Sequence, residues 1–182
     1  MICSSDVASI DRLADRKQDE NWRFRAFLKE ECDLPDTEVD RMVQELYNQE
    51  AGKFDCTTCA RCCSTTPLLD DEDVERLAGS LGITSDEVTS RYLKMDDDWG
   101  ELTFNQKPCP LLNDKLCTCY AARPYDCWSY PHLQKEGFRH RLISTVNNAS
   151  VCPVVFNVLE RLKDAMRPHG WNRHTSGRGR NR

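Results

Sequence analysis

Residues 54–63 read FDCTTCARCC, and the thiols of this segment decide how the rest of the chain is interpreted. Cys56, Cys59 and Cys62 are each separated by two residues, and Cys63 follows directly. A short turn with this spacing brings sulfur atoms within bonding distance of one metal ion or one iron–sulfur cluster. The uniform spacing therefore predicts that Cys56, Cys59 and Cys62 share one metal centre.

The adjacent pair Cys62 and Cys63 needs a separate interpretation, because neighbouring side chains on a helix diverge by about 100°. The two thiols therefore do not face one centre equally well. Either Cys63 serves a second metal ion, or one of the pair is structural.

Further cysteines follow the segment, and prolines flank most of them. The cysteines are Cys109, Cys117, Cys119, Cys127 and Cys152, and the prolines are Pro108, Pro110, Pro124 and Pro153. Each proline ring fixes the backbone φ, which indicates a backbone held rigid around ligands. Cys3 and Cys32 lie outside this region, and we expect no role for them in a metal site.

The composition favours a domain that is reduced and stabilised by metal. The chain has 182 residues and 11 cysteines, with 39% hydrophobic residues, which predicts one domain with a helical extension and a modest core. Bound metal would supplement that core, because ligation free energy becomes folding free energy. We find no apolar stretch typical of a secretory signal and no run of 18 apolar residues, so we expect a cytoplasmic protein without a membrane span. Cytoplasmic thiols stay reduced, which favours metal over disulfides.

The hydrophobic pattern predicts a mainly α protein, in which a helical hairpin precedes a small, irregular, metal-stapled domain with short strands. The three parts are a helical hairpin over 1–53, a cysteine-cluster domain over 54–166 and a disordered basic tail over 167–182. Helices are expected over 6–31, 36–51, 70–81, 84–93 and 154–166, and short strands over 102–104 and 142–146.

The net charge of −5 is distributed unevenly, and this limits the expected partners. Acidic residues crowd residues 70–75, where we expect them to cap a helix. The tail from Arg167 is basic and contains no acidic residue, so a weak contact with nucleic acid is open to it. We otherwise expect the tail to be a solvated chain end. The sequence predicts no membrane contact and leaves a protein partner open.

Other candidate residues lie near the later cysteines. His132 either completes a site of three cysteines and one histidine or is an ordinary packed or exposed histidine. Arg123, which lies beside Pro124 and Asp126, either neutralises thiolate charge or forms a structural salt bridge. The aromatic residues near the cysteines are expected to pack as core around the site; they are Trp99, Trp128 and Tyr130.

Five segments in order, FDCTTCARCC, DDEDVERLAGSLGIT, PCPLL, CTCYAARPYDCWSYP and CP, resemble the YkgJ-like cysteine-cluster family of zinc- or iron-chelating domains. The resemblance covers about residues 54–160. It implies that the later cysteines converge on the first run, with metal ligands at Cys56, Cys59, Cys62, Cys63, Cys109, Cys117, Cys127 and Cys152. Cys119 departs from the family pattern, which usually has an aliphatic residue there, so we expect a buried free thiol that points away from the centre.

Two functions follow from the thiols and the resemblance. The first is a binding module that holds zinc, or iron as an iron–sulfur centre; eight thiolates suffice for two four-coordinate sites, and their softness excludes magnesium and calcium. The second is an iron–sulfur-dependent redox or protein-modifying enzyme component, because the family is related to the cysteine domain of flagellin lysine N-methylases. The chain has no P-loop and no G-x-G-x-x-G loop after a strand, and Thr66 stands where a radical-type cysteine triple would end. This favours the binding module, leaves the enzyme question open and assigns no catalytic residue.

Overall fold

A computed structural model describes residues 9–97 and 100–173. The helices are α1 (Ile10–Glu30), α2 (Asp36–Ala51), α3 (Cys56–Cys59), α4 (Asp71–Leu81), α5 (Ser85–Tyr92), α6 (Tyr125–Ser129), α7 (Leu142–Asn148) and α8 (Pro153–Ala165). The strands are β1 (Leu68–Leu69), β2 (Leu93–Met95), β3 (Leu102–Phe104), β4 (Leu112–Asn113) and β5 (Leu116–Cys117). The protein is mainly α with short strands, as predicted. Within the described ranges, no helix is both long enough and apolar enough to cross a bilayer.

Two compact units make up the chain, and each has its own core. Unit 1 combines the described residues up to Phe54 with those from Pro131 onward, and unit 2 is Asp55–Tyr130. Most of the predicted ligand cysteines lie in unit 2, and Cys152 lies in unit 1. The domain boundaries predicted from the sequence, after residues 53 and 166, stay a prediction.

Helix α8 is the centre of unit 1. Its residues 153–160 are all buried, so this half of the helix is enclosed on every side rather than amphipathic. Helix α2 packs along α8, and α1 and α7 also contact it. Both N-terminal helices therefore bury their apolar faces against a common partner.

Two of the predicted elements in unit 1 need comment. The predicted start of the first helix at residue 6 lies outside the described residues, as does Cys3. The strand predicted over 142–146 is wrong, because this segment is helix α7. Leu142, Thr145 and Val146 are buried at helical spacing, and α7 packs against α1. This packing outweighs the β-propensity of the run.

A buried ion network ties α1 to α8. Lys163 is fully buried, and its Nζ lies 2.6 Å from a Glu160 carboxylate oxygen and 3.2 Å from one of Glu20. Asn21 accepts a further hydrogen bond from Lys163. Burial lowers the pKa of Lys163, and the Glu160 and Glu20 carboxylates oppose that shift. The Glu160 and Glu20 carboxylates therefore offset the cost of burying the lysine.

Unit 2 packs α4 and α5 with a small antiparallel sheet of strand order β1-β3-β2. The predicted helix at 70–81 is confirmed: Asp70 accepts from the Asp73 amide at 2.8 Å in a capping box, and Gly82 ends the helix at φ 67°. The strand at 102–104 is also confirmed. The buried apolar core consists of Leu69, Val74, Leu77, Ala78, Val88, Leu93, Phe104, Leu111 and Cys119.

Candidate metal centre

The cysteine run folds as two short turns with a change of direction between them. The Asp55 side chain accepts from the Thr57 amide at 2.9 Å and thereby caps α3, which begins with Cys56 and ends with Cys59. Ala60 then adopts the left-handed conformation at φ 51°, and a 3-10 turn follows over Arg61–Ser64. The four thiols of the run therefore lie on separate turns, in two pairs.

The second turn is joined directly to a distant cysteine. The backbone amide of Cys109 donates to the carbonyl oxygen of Cys63 at 2.8 Å. The Cys62 thiol hydrogen-bonds to Cys63 and lowers the pKa of Cys63 to about 7. Cys63 is thus the cysteine of the run that connects to the later segments.

The β4–β5 hairpin adds another thiol to this position. Leu112 bonds back to the Cys109 carbonyl at 3.0 Å and pairs with Cys117 across the hairpin. Burial, together with the neighbouring thiols of Cys63, Cys117 and Cys119, raises the pKa of Cys109 to about 11. Cys109 and Cys117 both pack against the core of unit 2.

Helix α6 brings the last thiol of unit 2 to the same place. Its first amide, from Tyr125, donates to the buried Asp73 carboxylate at 2.9 Å. From the same helix, Asp126 accepts from the Leu68 amide at 3.1 Å. These two bonds tie α6, which carries Cys127, to α4 and β1.

The environment of Cys127 shows the result of this convergence. Burial raises the pKa of Cys127 to about 12, and the thiols of Cys109, Cys63 and Cys117 contribute to the shift. Four cysteines from separate segments are therefore neighbours. We call Cys63, Cys109, Cys117 and Cys127 the inner thiol set.

The donor chemistry of the inner thiol set suits a soft metal ion. Thiolates favour zinc and iron–sulfur centres over magnesium or calcium. Across residues 9–97 and 100–173, no three Cys, His, Asp or Glu side chains already form a closed group that would hold an ion. The inner thiols are neighbours that fit such an ion once it replaces their remaining protons and draws the sulfurs together.

The sequence pattern of the CxxCxxCC family, described as a "Putative zinc- or iron-chelating domain", matches residues 55–153, which is more than half of the chain. The chain belongs to this family. The matched range of the CxxCxxCC domain contains the inner thiol set and every other cysteine predicted as a ligand.

A named relative shares part of this CxxCxxCC domain. "Uncharacterized protein MJ0661" of Methanocaldococcus jannaschii is 33% identical over 82 residues, which is 43% of this chain and 44% of the relative. The match thus spans less than half the length of the curated relative. No solved structure matches the chain. The relation to flagellin lysine N-methylases stays a prediction.

Cys56 and Cys59 lie at the outer end of the CxxCxxCC run. Cys56 is exposed, whereas Cys59 is half-buried. Partial shielding of the Cys56 thiol raises its pKa although the residue as a whole is exposed, and Cys59 and Asp55 add to the shift. Cys59 and Asp55 are thus neighbours of Cys56.

The remaining cysteines have different surroundings. Cys119 is buried in the core of unit 2, as predicted, and yet it contributes to the raised pKa of Cys109 and of Cys117. Cys152 precedes α8 in unit 1, where it packs against the core and its amide donates to Asn148 at 2.8 Å. Its role as a metal ligand stays a prediction. Cys32 also packs against the core of unit 1.

Two charged or polar candidates are placed as follows. His132 belongs to unit 1 and has a left-handed backbone at φ 63°, with its carbonyl accepting from Arg141 at 3.5 Å.

The Arg123 guanidinium lies 4.0 Å from the centre of the Tyr120 ring and donates to the Tyr120 carbonyl at 2.7 Å. Burial raises the pKa of Cys117, and the Arg123 charge opposes that rise. Arg123 is thus a nearby positive charge for the inner thiol set.

The aromatic prediction is corrected at Trp128. This side chain is 60% exposed and stacks on Tyr125 with ring centres 5.8 Å apart, so it is not part of the core. Helix α6 is short and turns Ser129 inward, which leaves Trp128 on the solvent side. Tyr130 is half-buried, and Trp99 lies outside the described residues.

Sequence reasoning missed the contributions of Asp73 and Asp126 to this site. Asp73 was expected only to cap a helix, and Asp126 only to lie between two cysteines. Asp73 does complete the capping box of α4, and both carboxylates also accept backbone amides from distant segments and so position Cys127. Nothing in the local pattern distinguishes such carboxylates from solvated ones.

Proposed function

We propose that this chain is a zinc- or iron-binding protein whose ion is held by the thiolates of the inner thiol set. The roles of the other predicted ligands, Cys56, Cys59, Cys62 and Cys152, stay predictions. The observation that carries this proposal is the convergence of Cys63, Cys109, Cys117 and Cys127 from separate segments of unit 2. Unpaired thiols with a purely structural role have no reason to gather in this way.

The surroundings of the inner thiol set also suit a metal–thiolate centre electrostatically. Four thiolates around a divalent ion leave a net negative charge, which needs hydrogen-bond donors or a cation nearby. The Leu111 amide bonds to the Cys109 sulfur and the Cys119 amide to the Cys117 sulfur, and each lowers the pKa of the thiol it contacts. Arg123 adds a positive charge near Cys117.

Bound metal would supply folding free energy to unit 2. The β4–β5 hairpin and α6 are short, with 2 residues in each strand and 5 in the helix. Ligation of Cys109, Cys117 and Cys127 would hold these segments on the α4–α5 core. A chain that depends on free thiolates in this way suits a reducing compartment such as the cytoplasm.

The test is metal analysis and the visible spectrum of protein purified without oxygen. We expect bound zinc in a colourless protein, or bound iron with acid-labile sulfide in a brown one. Cys109→Ser should lose most of this metal, because it removes an inner ligand. Cys32→Ser is the matched control, since Cys32 packs in unit 1, and it should keep the metal. Wild-type protein that holds neither metal after anaerobic reconstitution, or a Cys109→Ser variant with full metal content, would refute the proposal.

A further inference from the structure

We propose that the cysteine run divides its thiols between a retained ion and an exchangeable one. In this division, Cys63 belongs to the inner thiol set, while Cys56 and Cys59, which we call the outer thiol pair, bind a second soft divalent ion at the surface and hand it to a thiol-bearing acceptor. This inference rests on the proposed metal-binding function. It departs from the equal treatment of Cys56, Cys59 and Cys62 that their spacing suggests.

The first observation behind the proposal is the reversal of the backbone within the run. Cys59 ends α3, and Ala60 then takes the left-handed conformation, which is unfavourable for a residue with a Cβ atom. A continuous helix would have avoided this conformation. The reversal ends the α3 turn, so Cys62 and Cys63 belong to the following turn.

The second observation is the different attachment of the two turns. Cys62 hydrogen-bonds to Cys63, and the Cys63 carbonyl accepts from Cys109, so the second turn is fastened to the inner thiol set. The first turn is fastened by its own cap, in which Asp55 accepts from the amide and the hydroxyl of Thr57. Asp55 is therefore engaged in holding the turn.

The third observation is exposure. Cys56 is exposed, unlike every other cysteine in the described part of the chain, and the inner thiol set is half-buried throughout. An ion on Cys56 and Cys59 has two protein ligands, so its remaining coordination positions are open to solvent or to an incoming ligand. Open positions of this kind allow ligand exchange, whereas four converging thiolates shield their ion from it.

The handover is a ligand exchange without redox change. Two metal–sulfur bonds to an acceptor with two thiols form as the two bonds to Cys56 and Cys59 break. The acceptor thiols release two protons, and the outer thiol pair takes up two. The metal keeps its oxidation state throughout.

Zinc release to a chromogenic chelator tests the proposal on the full chain. Zinc-loaded protein is mixed with excess 4-(2-pyridylazo)resorcinol, and the colour change is followed by stopped flow. We expect a fast phase and a slow phase of about one zinc ion each. The double variant Cys56→Ser/Cys59→Ser should lose the fast phase and its zinc ion and keep the slow phase. The matched control Cys32→Ser should keep both phases.

A second measurement avoids variants altogether. Wild-type protein is stripped of one zinc ion by limiting chelator and alkylated briefly, and the modified cysteines are mapped by mass spectrometry. The proposal expects label on Cys56 and Cys59 before Cys109 and Cys127. Label that appears first on the inner thiol set would overturn it, as would a double variant that loses the slow phase. If the wild type and the double variant each hold one zinc ion and release it in a single slow phase, this inference alone is refuted. Protein that holds no zinc or iron refutes the proposed function.

Discussion

The backbone amide of Cys109 donates a hydrogen bond to the carbonyl oxygen of Cys63 at 2.8 Å. This bond joins the cysteine run to the proline-flanked cysteine that follows α5 and β3. Two members of the inner thiol set are therefore held side by side by a backbone hydrogen bond.

Cys119 provides a test of which thiols are ligands. It is 3% exposed and packs in the core of unit 2, so Cys119→Val adds volume to a packed site and should cost about 1–3 kcal/mol of unfolding free energy. We expect the variant to keep its full metal content in elemental analysis. Loss of metal without loss of fold would show that Cys119 is itself a ligand.

Asp73 is expected to act on the metal through the position of Cys127. Asp73→Ala removes the acceptor for the Tyr125 amide, so α6 loses an anchor and metal affinity should fall about tenfold or more. Asp73→Asn keeps an acceptor oxygen and should restore part of the affinity.

The matched control for this experiment is Asp71→Ala. Asp71 is an exposed acid in the first turn of the same helix. Competition with a chelator measures the affinity of each variant. Equal affinities for Asp73→Ala and Asp71→Ala would show that the anchor at Asp73 does not matter to the metal.

Metal affinity should fall as the pH falls. The raised pKa values of Cys109, about 11, and Cys127, about 12, mean that both thiols carry protons at neutral pH in the metal-free protein. A metal ion displaces both protons, so its apparent affinity should drop by about a hundredfold or more for each pH unit between pH 8 and pH 6. Zinc competition titrations across this range, corrected for protonation of the chelator, measure the slope. A flat profile would mean that these thiols do not bind the ion.

Lys163 is expected to matter for the stability of unit 1. Lys163→Met removes the cation that lies 2.6 Å from the buried Glu160 carboxylate, while Arg173 stays at 2.9 Å. The unfolding free energy should therefore fall, but by less than the cost of about 3–5 kcal/mol for a buried charge left without any partner. Urea denaturation measures the change. Arg41→Met is the control, because Arg41 pairs with Glu38 and Glu45 on the exposed face of α2, and its loss should leave the midpoint unchanged. Similar midpoints for both variants would contradict the expected cost of burial.

Local signals made parts of the fold predictable. The helices that begin after Asp70 and Thr84 have capping boxes, and each capping box is a motif of four consecutive residues. The apolar run of α7 predicts a strand by its β-propensity, whereas its helical form depends on packing against α1. Packing between distant segments has no comparable motif in the local sequence.

The same distinction holds for the candidate site. The spacing of the cysteine run indicated metal chemistry, and the family resemblance supplied the set of ligands. Two hydrogen bonds between residues far apart in sequence decide which thiols become neighbours. One joins the Cys109 amide to the Cys63 carbonyl, and the other joins the Tyr125 amide to the Asp73 carboxylate. The sequence predicts Trp128 as core around the site, but the short helix that carries it leaves its side chain exposed.

X-ray absorption at the metal edge of the natively loaded chain tests metal binding by the inner thiol set most directly. For zinc, we expect about four sulfur neighbours at ~2.3 Å. For iron, we expect a sulfur shell together with the iron–iron distance of a cluster. A first coordination shell made mainly of nitrogen and oxygen would contradict a thiolate centre.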